Sequence, residues 1–330
     1  MIHRPWGSLP AVLELASQRL WFFIGSIGTE QRSLAAWHLL RGLGCEAKRE
    51  MLRIEDASSQ RYGERTQACL SERTEKFLQA GGLESEIRDF HLMDEAYRIE
   101  AYARNIEELE MPVLLDITSM PKRFFFLILR RLCTSNRVKD LVLTYTSPAE
   151  YEEKEPLSED CETWKHLPGF VGEQNGGELL IVSVGFLAES LQKHIGSIHK
   201  HETMKILIPF PAPLSVLRRT WESVFQLEHN QDPKRFNNHR VDTADMSAAF
   251  DRIVSLARAG RDTPAFAPFG PKPISAAMCL YAIQRNSTVY YPQPKAYHPD
   301  YSRGIRGDDP VKAVQAYWVK HDGEFLYQLD

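Results

Sequence analysis

A short pattern occurs twice in this chain, about 150 residues apart, each time where an apolar run gives way to the start of a helical stretch. The first copy reads VLLDITSMPKRFFFLILRRL from Val113 and is followed by LVLTYTSPAEY from Leu141. The second reads PAFAPFGPKPISAAMCLYAI from Pro264 and is followed by STVYYPQPKAY from Ser287. Pro121-Lys122 corresponds to Pro271-Lys272, and Tyr145, Pro148 and Tyr151 correspond to Tyr291, Pro294 and Tyr297 at a constant offset of 146. The repeat predicts an internal duplication built on strand, Pro-Lys helix, strand. At 330 residues the chain is long enough for two ordinary cores.

The rest of the sequence fits this scheme. LWFFI at 20–24 reads as a strand, GSIGTEQ as a Gly-containing turn and RSLAAWHLLRGLG as an amphipathic helix ended by Gly42 and Gly44. Residues 61–110 are charged and helical in pattern, broken at Gly81-Gly82. The run 113–117 is continuously apolar up to Asp116, as in a parallel strand covered on both faces. The second half restarts with ELLIVSVGF and a helix over LAESLQKHI, then KILIP as a strand, helices at 215–226 and 244–258, and a strand at 265–269. Near the end, AVQAYWVK, His321-Asp322-Gly323 and EFLYQL have the alternation and turn of an antiparallel hairpin. Strands alternating with helices predict an α/β protein with mainly parallel, doubly wound sheets. The expected division is a first Rossmann-like half at 1–155, a linker at 156–177 rich in acidic residues, Pro and Gly, and a second half at 178–330.

Composition limits the function classes. A formal charge of −4 argues against general nucleic-acid or membrane-surface binding. Five cysteines without a C-x-x-C pair suggest neither a disulfide framework nor a zinc knuckle, so a reducing cytoplasm is expected. The start of the chain lacks a signal-peptide arrangement, and no apolar run approaches the ~20 residues of a membrane span. His194, His199 and His201 lack metal-ligand spacing, and no metal site is expected.

In such sheets ligands bind outside the carboxyl ends of strands, where the strand order reverses. Pro121 is expected at the first helical position with Thr118 or Ser119 capping the exposed amides. The helix dipole with Lys122 and Arg123 would favour a phosphate there. A plain capped helix with two solvated cations is the other reading. Asp116 at the strand end would contact sugar, metal or water, or cap the turn; the second half has Phe266 in its place. In the first loop the amides of Ser26 and Gly28 could approach a phosphate and Arg32 could pair with it, with Glu30 as a candidate acid; a structural turn is the alternative. Gly185 is the second-half counterpart of that loop, and Lys272 would serve a second or pseudo-symmetric site. Tyr145 and Tyr291 are candidates for stacking on a base, or for shaping a loop.

The Gly-containing loop after the first strand and the Asp116-x-Thr118-x-x-x-Lys122 stretch resemble the CRISPR-associated Rossmann-fold (CARF) sensors, with Ser119-Met120-Pro121 in place of that family's glycines. The resemblance implies nucleotide phosphate contacts by Thr118 and Lys122, a paired binding surface and a setting in prokaryotic antiviral defence. The expected function is therefore a cytoplasmic, sensor-like protein that binds a nucleotide or other phosphorylated small molecule. The alternatives are a nucleotide hydrolase using Asp116 or Glu30, and a non-enzymatic partner protein using the basic residues Arg130, Arg131, Arg137 and Lys139. The cofactor, if any, is not legible in the sequence.

Overall fold

A computed structural model of the chain describes residues 4–16, 19–56, 61–152, 155, 157–172, 178–185, 191, 194–198, 200–212, 214–229, 232, 235–307 and 309–329. The predicted helix over LAESLQKHI and His199 lie largely outside these residues. The chain divides into two compact units, 1–159 with 295–326 and 160–294 with 327–330.

The first unit opens with β1 (Trp6–Ser8) and α1 (Leu9–Glu14). It continues through β2 (Trp21–Ile27), α2 (Ala35–Gly42), β3 (Glu46–Glu55), α3 (Gly63–Gln79), β4 (Ile87–His91), α4 (Ala96–Glu107), β5 (Val113–Asp116), α5 (Lys122–Thr134), β6 (Leu141–Thr146) and β7 (Glu150–Tyr151). The chain leaves through β8 (Ser158–Cys161). The second unit holds β9 (Leu179–Ser183), α6 (Ile195–Ile198), β10 (Thr203–Pro209), α7 (Leu214–Glu228), β11 (Phe236–Val241), α8 (Met246–Leu256), β12 (Ala265–Pro268) and α9 (Lys272–Arg285). The chain returns through β13 (Pro294–Tyr297) and ends its first-unit course with β14 (Ser302–Arg303), α10 (Pro310–Ala313), β15 (Val314–His321) and β16 (Glu324–Phe325).

The first sheet runs β1-β15-β6-β5-β2-β3-β4. Its five strands from β4 to β6 are parallel and stand in the doubly wound order 3-2-1-4-5, counted along the chain. β15 is antiparallel to β6, β1 to β15, and β16 to β15. The second sheet, β11-β10-β9-β12, is all parallel and repeats the order 3-2-1-4. Beside β12, Val289 makes a parallel bridge to Phe266, and His166 makes an antiparallel bridge to Tyr290. The neighbours of β5 in the first unit thus have counterparts beside β12.

Burial follows from composition. Every residue of β2, β5 and β6 is buried, as expected of parallel strands covered on both faces by helices. The Phe-rich start of α5 is buried on all sides, with Phe124 edge-on to Phe90 of β4 at 5.5 Å.

Three expectations are corrected. Residues 61–110 are not wholly helical, because β4 lies between α3 and α4. Its two buried residues, Ile87 and Phe90, stand three apart with exposed Arg88 and Asp89 between them, so it lacks the alternation that marks a half-buried strand. The proposed linker is instead packed structure: Leu167 and Phe170 are buried, and Leu167 hydrogen-bonds Val289. The second half is not one continuous stretch either. Residues 295–326 rejoin the first unit, where β15 supplies ladder partners that β6 would otherwise lack.

Candidate functional site

In the first unit the strand order reverses between β2 and β5, so the switch point lies at their carboxyl ends. The loops beyond the two strands touch. The Ser26 and Ser119 hydroxyls lie 2.7 Å apart, and the Ser119 hydroxyl donates to the Ser26 carbonyl at 3.0 Å. Only a glycine fits at 28 against Ser119, because a Cβ there would stand 2.7 Å from the Ser119 Cβ.

At the start of α5, Pro121 is the N-cap and Lys122 the first helical residue. No side chain caps this helix, and its first turn carries no acidic residue. The expected caps are engaged elsewhere. Thr118 Oγ1 donates to Asp116 Oδ1 at 2.6 Å and accepts from the Thr146 amide at 2.9 Å, while Ser119 faces Ser26. Lys122 and Arg123 are both buried, 5% and 7% exposed, rather than solvated. Arg123 Nη2 donates to the Asp94 carbonyl at 2.8 Å, clamping the loop after β4. Its buried Nε has no hydrogen-bond partner among the described residues.

Asp116 does not face the outside. It is fully buried, and its Oδ1 accepts from Thr118 Oγ1, from the Thr118 amide at 3.3 Å and from Thr144 Oγ1 at 3.0 Å. The carboxylate therefore organises the turn after β5 and pins it to β6. Of the two readings of this residue, these bonds match the turn-capping one.

Arg32 is likewise engaged inside the fold. Its Nη2 and Nε reach Glu30 Oε2 at 2.7 and 3.0 Å, Nε also donates to Ser302 Oγ at 3.2 Å, and Nη1 donates to the Thr146 carbonyl. Burial works against its charge. Even so, Glu30, with Tyr145 and Tyr151, holds the guanidinium pKa above its usual value. Glu30 is the partner of that pair and also accepts from Ser302 Oγ, so it is not placed as a general base. Tyr145 is buried with Arg32 5.3 Å over its ring, and burial pushes the Tyr151 and Tyr301 phenols up. Neither Tyr145 nor the buried Tyr291 offers a face to a base.

The second unit presents a plainer version of the same place. Pro271 is the N-cap of α9 and Lys272 its first residue, half-buried, with Pro273 next. Ser183 Oγ accepts from the Gly270 amide at 2.9 Å, and a Cβ on Gly185 would meet Gly270 Cα at 2.9 Å. Phe266 occupies the interior with its ring edge-on to Tyr281 at 5.5 Å, where the first unit has Asp116 and its threonines.

Three of the four basic residues considered for a protein partner are opposed by acids. Arg131 pairs with Glu107 at 2.5 Å, Arg130 with Glu100 at 3.8 Å and Arg137 with Glu110 at 3.9 Å. A group of potential metal-binding side chains, Asp140, His321 and Asp322, surrounds the Arg19 guanidinium, which pairs with both aspartates. No helix among the described residues is long and apolar enough to cross a membrane.

No protein-family model matches the chain, and no curated protein matches it. Among solved structures, the cytoplasmic domain of a prokaryotic cation chloride cotransporter aligns over 84% of this chain and 96% of its own, at 10% identity and a TM-score of 0.24. A C2-type ketoreductase from a modular polyketide synthase aligns over 86% of this chain and 68% of its own, at 13% identity and a TM-score of 0.21. At such scores neither bears on function. The α/β assignment rests on the parallel sheets and their strand order.

Proposed function

We propose that the chain is a duplicated, Rossmann-like protein that binds a nucleotide or other phosphorylated small molecule at the switch point of its first unit, in a cytoplasmic, sensor-like role. One observation carries the reading: two buried cations, Lys122 and Arg123, occupy the first two positions of a helix that no side chain caps and whose first turn has no acid. The positive end of the helix dipole and two cations beside it together favour an anion at that place. The Ser26 and Ser119 hydroxyls and the Gly28 backbone stand at the same switch point as further hydrogen-bonding groups.

The duplication is supported by the shared order 3-2-1-4, by the parallel bridge beside β12 and by a Pro N-cap followed by Lys in both units. Lys272 would then mark a second, pseudo-symmetric site. A setting in antiviral defence follows only from the resemblance to CARF sensors. The hydrolase reading gains nothing from the geometry, since Asp116 is buried and Glu30 is paired.

The test is calorimetric titration of the whole protein with ATP, NAD+ and inorganic pyrophosphate, beside the Lys122→Ala variant. At least one probe should bind, and the variant should bind it at least about tenfold more weakly, as expected for loss of a hydrogen bond to a charged group. No binding by any probe, or equal affinity in the variant, would refute the assignment.

A further inference from the structure

Residues 297–306 run across the carboxyl edge of the first sheet. At one end the Tyr297 amide donates to Asp56 Oδ2, just beyond β3, at 2.8 Å. In the middle, Ser302 meets Glu30 and Arg32 in the loop after β2. At the other end, β14 pairs antiparallel with β7, the Ala149 amide donates to the Arg303 carbonyl at 3.1 Å, and the Arg306 amide donates to the Ser147 carbonyl at 2.9 Å. Since the sheet order is β6-β5-β2-β3, a segment fixed beyond β3, β2 and β6 passes over the end of β5. That end is where the turn leading to Ser119 and Lys122 begins.

The segment is also joined to that turn by a continuous series of hydrogen bonds. Asp116 Oδ1 accepts from Thr118 Oγ1, Thr118 Oγ1 accepts from the Thr146 amide, the Thr146 carbonyl accepts from Arg32, and Arg32 donates to Glu30 and Ser302. A shift of the turn after β5 cannot leave Thr146 and Arg32 undisturbed. The segment is further held by the His298 amide donating to the Leu157 carbonyl at 3.0 Å, the Glu152 amide donating to the Tyr301 carbonyl at 3.2 Å and Tyr301 edge-on to Tyr151 at 6.1 Å, and by the pairs Arg303 with Glu152 at 3.1 Å, His298 with Glu155 at 3.5 Å, and Arg65 with Asp300. Ion pairs with an exposed partner hold weakly, so among the side-chain contacts the Glu30–Arg32–Ser302 group is the main fastening.

We propose that residues 297–306 form a latched cover over the carboxyl edge of the first unit, fastened by Glu30, Arg32 and Ser302, which opens as one unit and is tightened when an anion occupies the turn after β5. The anion part rests on the function proposed above; the cover itself does not.

Hydrogen exchange read by mass spectrometry on the full chain tests it. Without ligand, the amides of Ala149, Glu152 and Arg306, whose acceptors bridge the cover and its partners, should exchange together and at least tenfold faster than those of β5 and β6. Ser302→Ala and Glu30→Gln should each speed that group at least a further tenfold while leaving β3 and β4 unchanged; Ser302→Ala serves if Glu30→Gln does not fold. Inorganic pyrophosphate should slow the group in the wild-type protein and not in Lys122→Ala. Exchange of the group only at the rate of the core strands, or equal acceleration of all strands in the variants, would overturn the cover. A fast-opening group that does not respond to bound pyrophosphate would overturn its link to the site. Absence of calorimetric binding would overturn the site reading alone, since the ligand-free exchange still decides the cover.

Discussion

Asp56 provides the most quantitative handle on the first unit. Its carboxylate sits beyond β3 and accepts the Tyr297 amide. Burial pushes its pKa from 3.8 up to about 6, and the hydrogen bond offsets this only in part. Because the folded-state pKa is raised, the native protein holds a proton that the unfolded chain has released between about pH 4 and pH 6. Stability therefore falls as pH rises through that window, and the penalty is fully present above it. A shift of about two pH units corresponds to about 3 kcal/mol at 1.36 kcal/mol per unit, and partial solvent access reduces this to about 1–2 kcal/mol. Asp56→Asn removes the charge and keeps a carbonyl oxygen for the Tyr297 amide. The variant should melt about 3–6 °C higher than wild type at pH 8 and within about 1 °C of it at pH 4, given about 2–4 °C per kcal/mol for a unit of this size. Scanning calorimetry across that pH range measures it. Parallel curves for the two proteins, or a variant less stable at pH 8, would refute the reasoning.

Other outcomes follow from the same geometry. Arg32→Met leaves the partly buried Glu30 beside Ser302 without the guanidinium and should cost about 2–4 kcal/mol in denaturant unfolding. Gly28→Ala forces a Cβ to 2.7 Å from that of Ser119 and should cost about 1–3 kcal/mol. Gly185→Ala, which drives a Cβ toward Gly270 backbone, should be at least as damaging. Thr118→Val removes a donor to Asp116 and the acceptor of the Thr146 amide in a fully buried place, and should lose about 2–4 kcal/mol, whereas Thr118→Ser should lose under about 1 kcal/mol.

The parallel strands and the helices after them were legible because their signals are local. A short apolar run such as Val113–Leu115, bounded by Pro112 and the Thr-Ser turn, reads as a covered strand, and Pro-Lys before an apolar stretch marks a helix start. β3 and β4 were missed because their polar faces leave no such run: Glu46–Glu55 shows solvent or partial exposure at most positions. The return of residues 295–326 to the first unit was illegible for another reason. Strand addition across about 170 residues leaves no mark in sequence, since β15 would read alike at the edge of either sheet. At the switch point the sequence pattern brings the candidate residues together in space but does not give the directions of their side chains. Asp116, Thr118 and Arg32 have the chemistry of ligand contacts, and only the positions of Thr144, Thr146 and Ser302 turn them inward.

What separates the two switch points is the filling beneath the turn. In the second unit Phe266 and Tyr281 pack there, and an apolar filling transmits little when the turn above it shifts by a fraction of an ångström, because such contacts are many, weak and undirected. In the first unit the same volume holds directed hydrogen bonds from Asp116 to Thr118 and on to Thr146, each lost by a comparable shift at the full desolvation cost of a buried polar group. A polar interior of that kind is expensive unless every member is satisfied, and a plain core would serve the fold as well. Its presence under the turn that begins α5, and its absence under the turn that begins α9, is therefore best explained by a need to hold the first turn in one defined shape. That same turn carries the two buried cations. If the polar interior sets the shape of the anion site, Thr144→Val should weaken pyrophosphate binding although Thr144 lies in β6 and contacts Asp116 rather than the helix start. Unaltered affinity in a folded Thr144→Val protein would show that the interior serves stability alone.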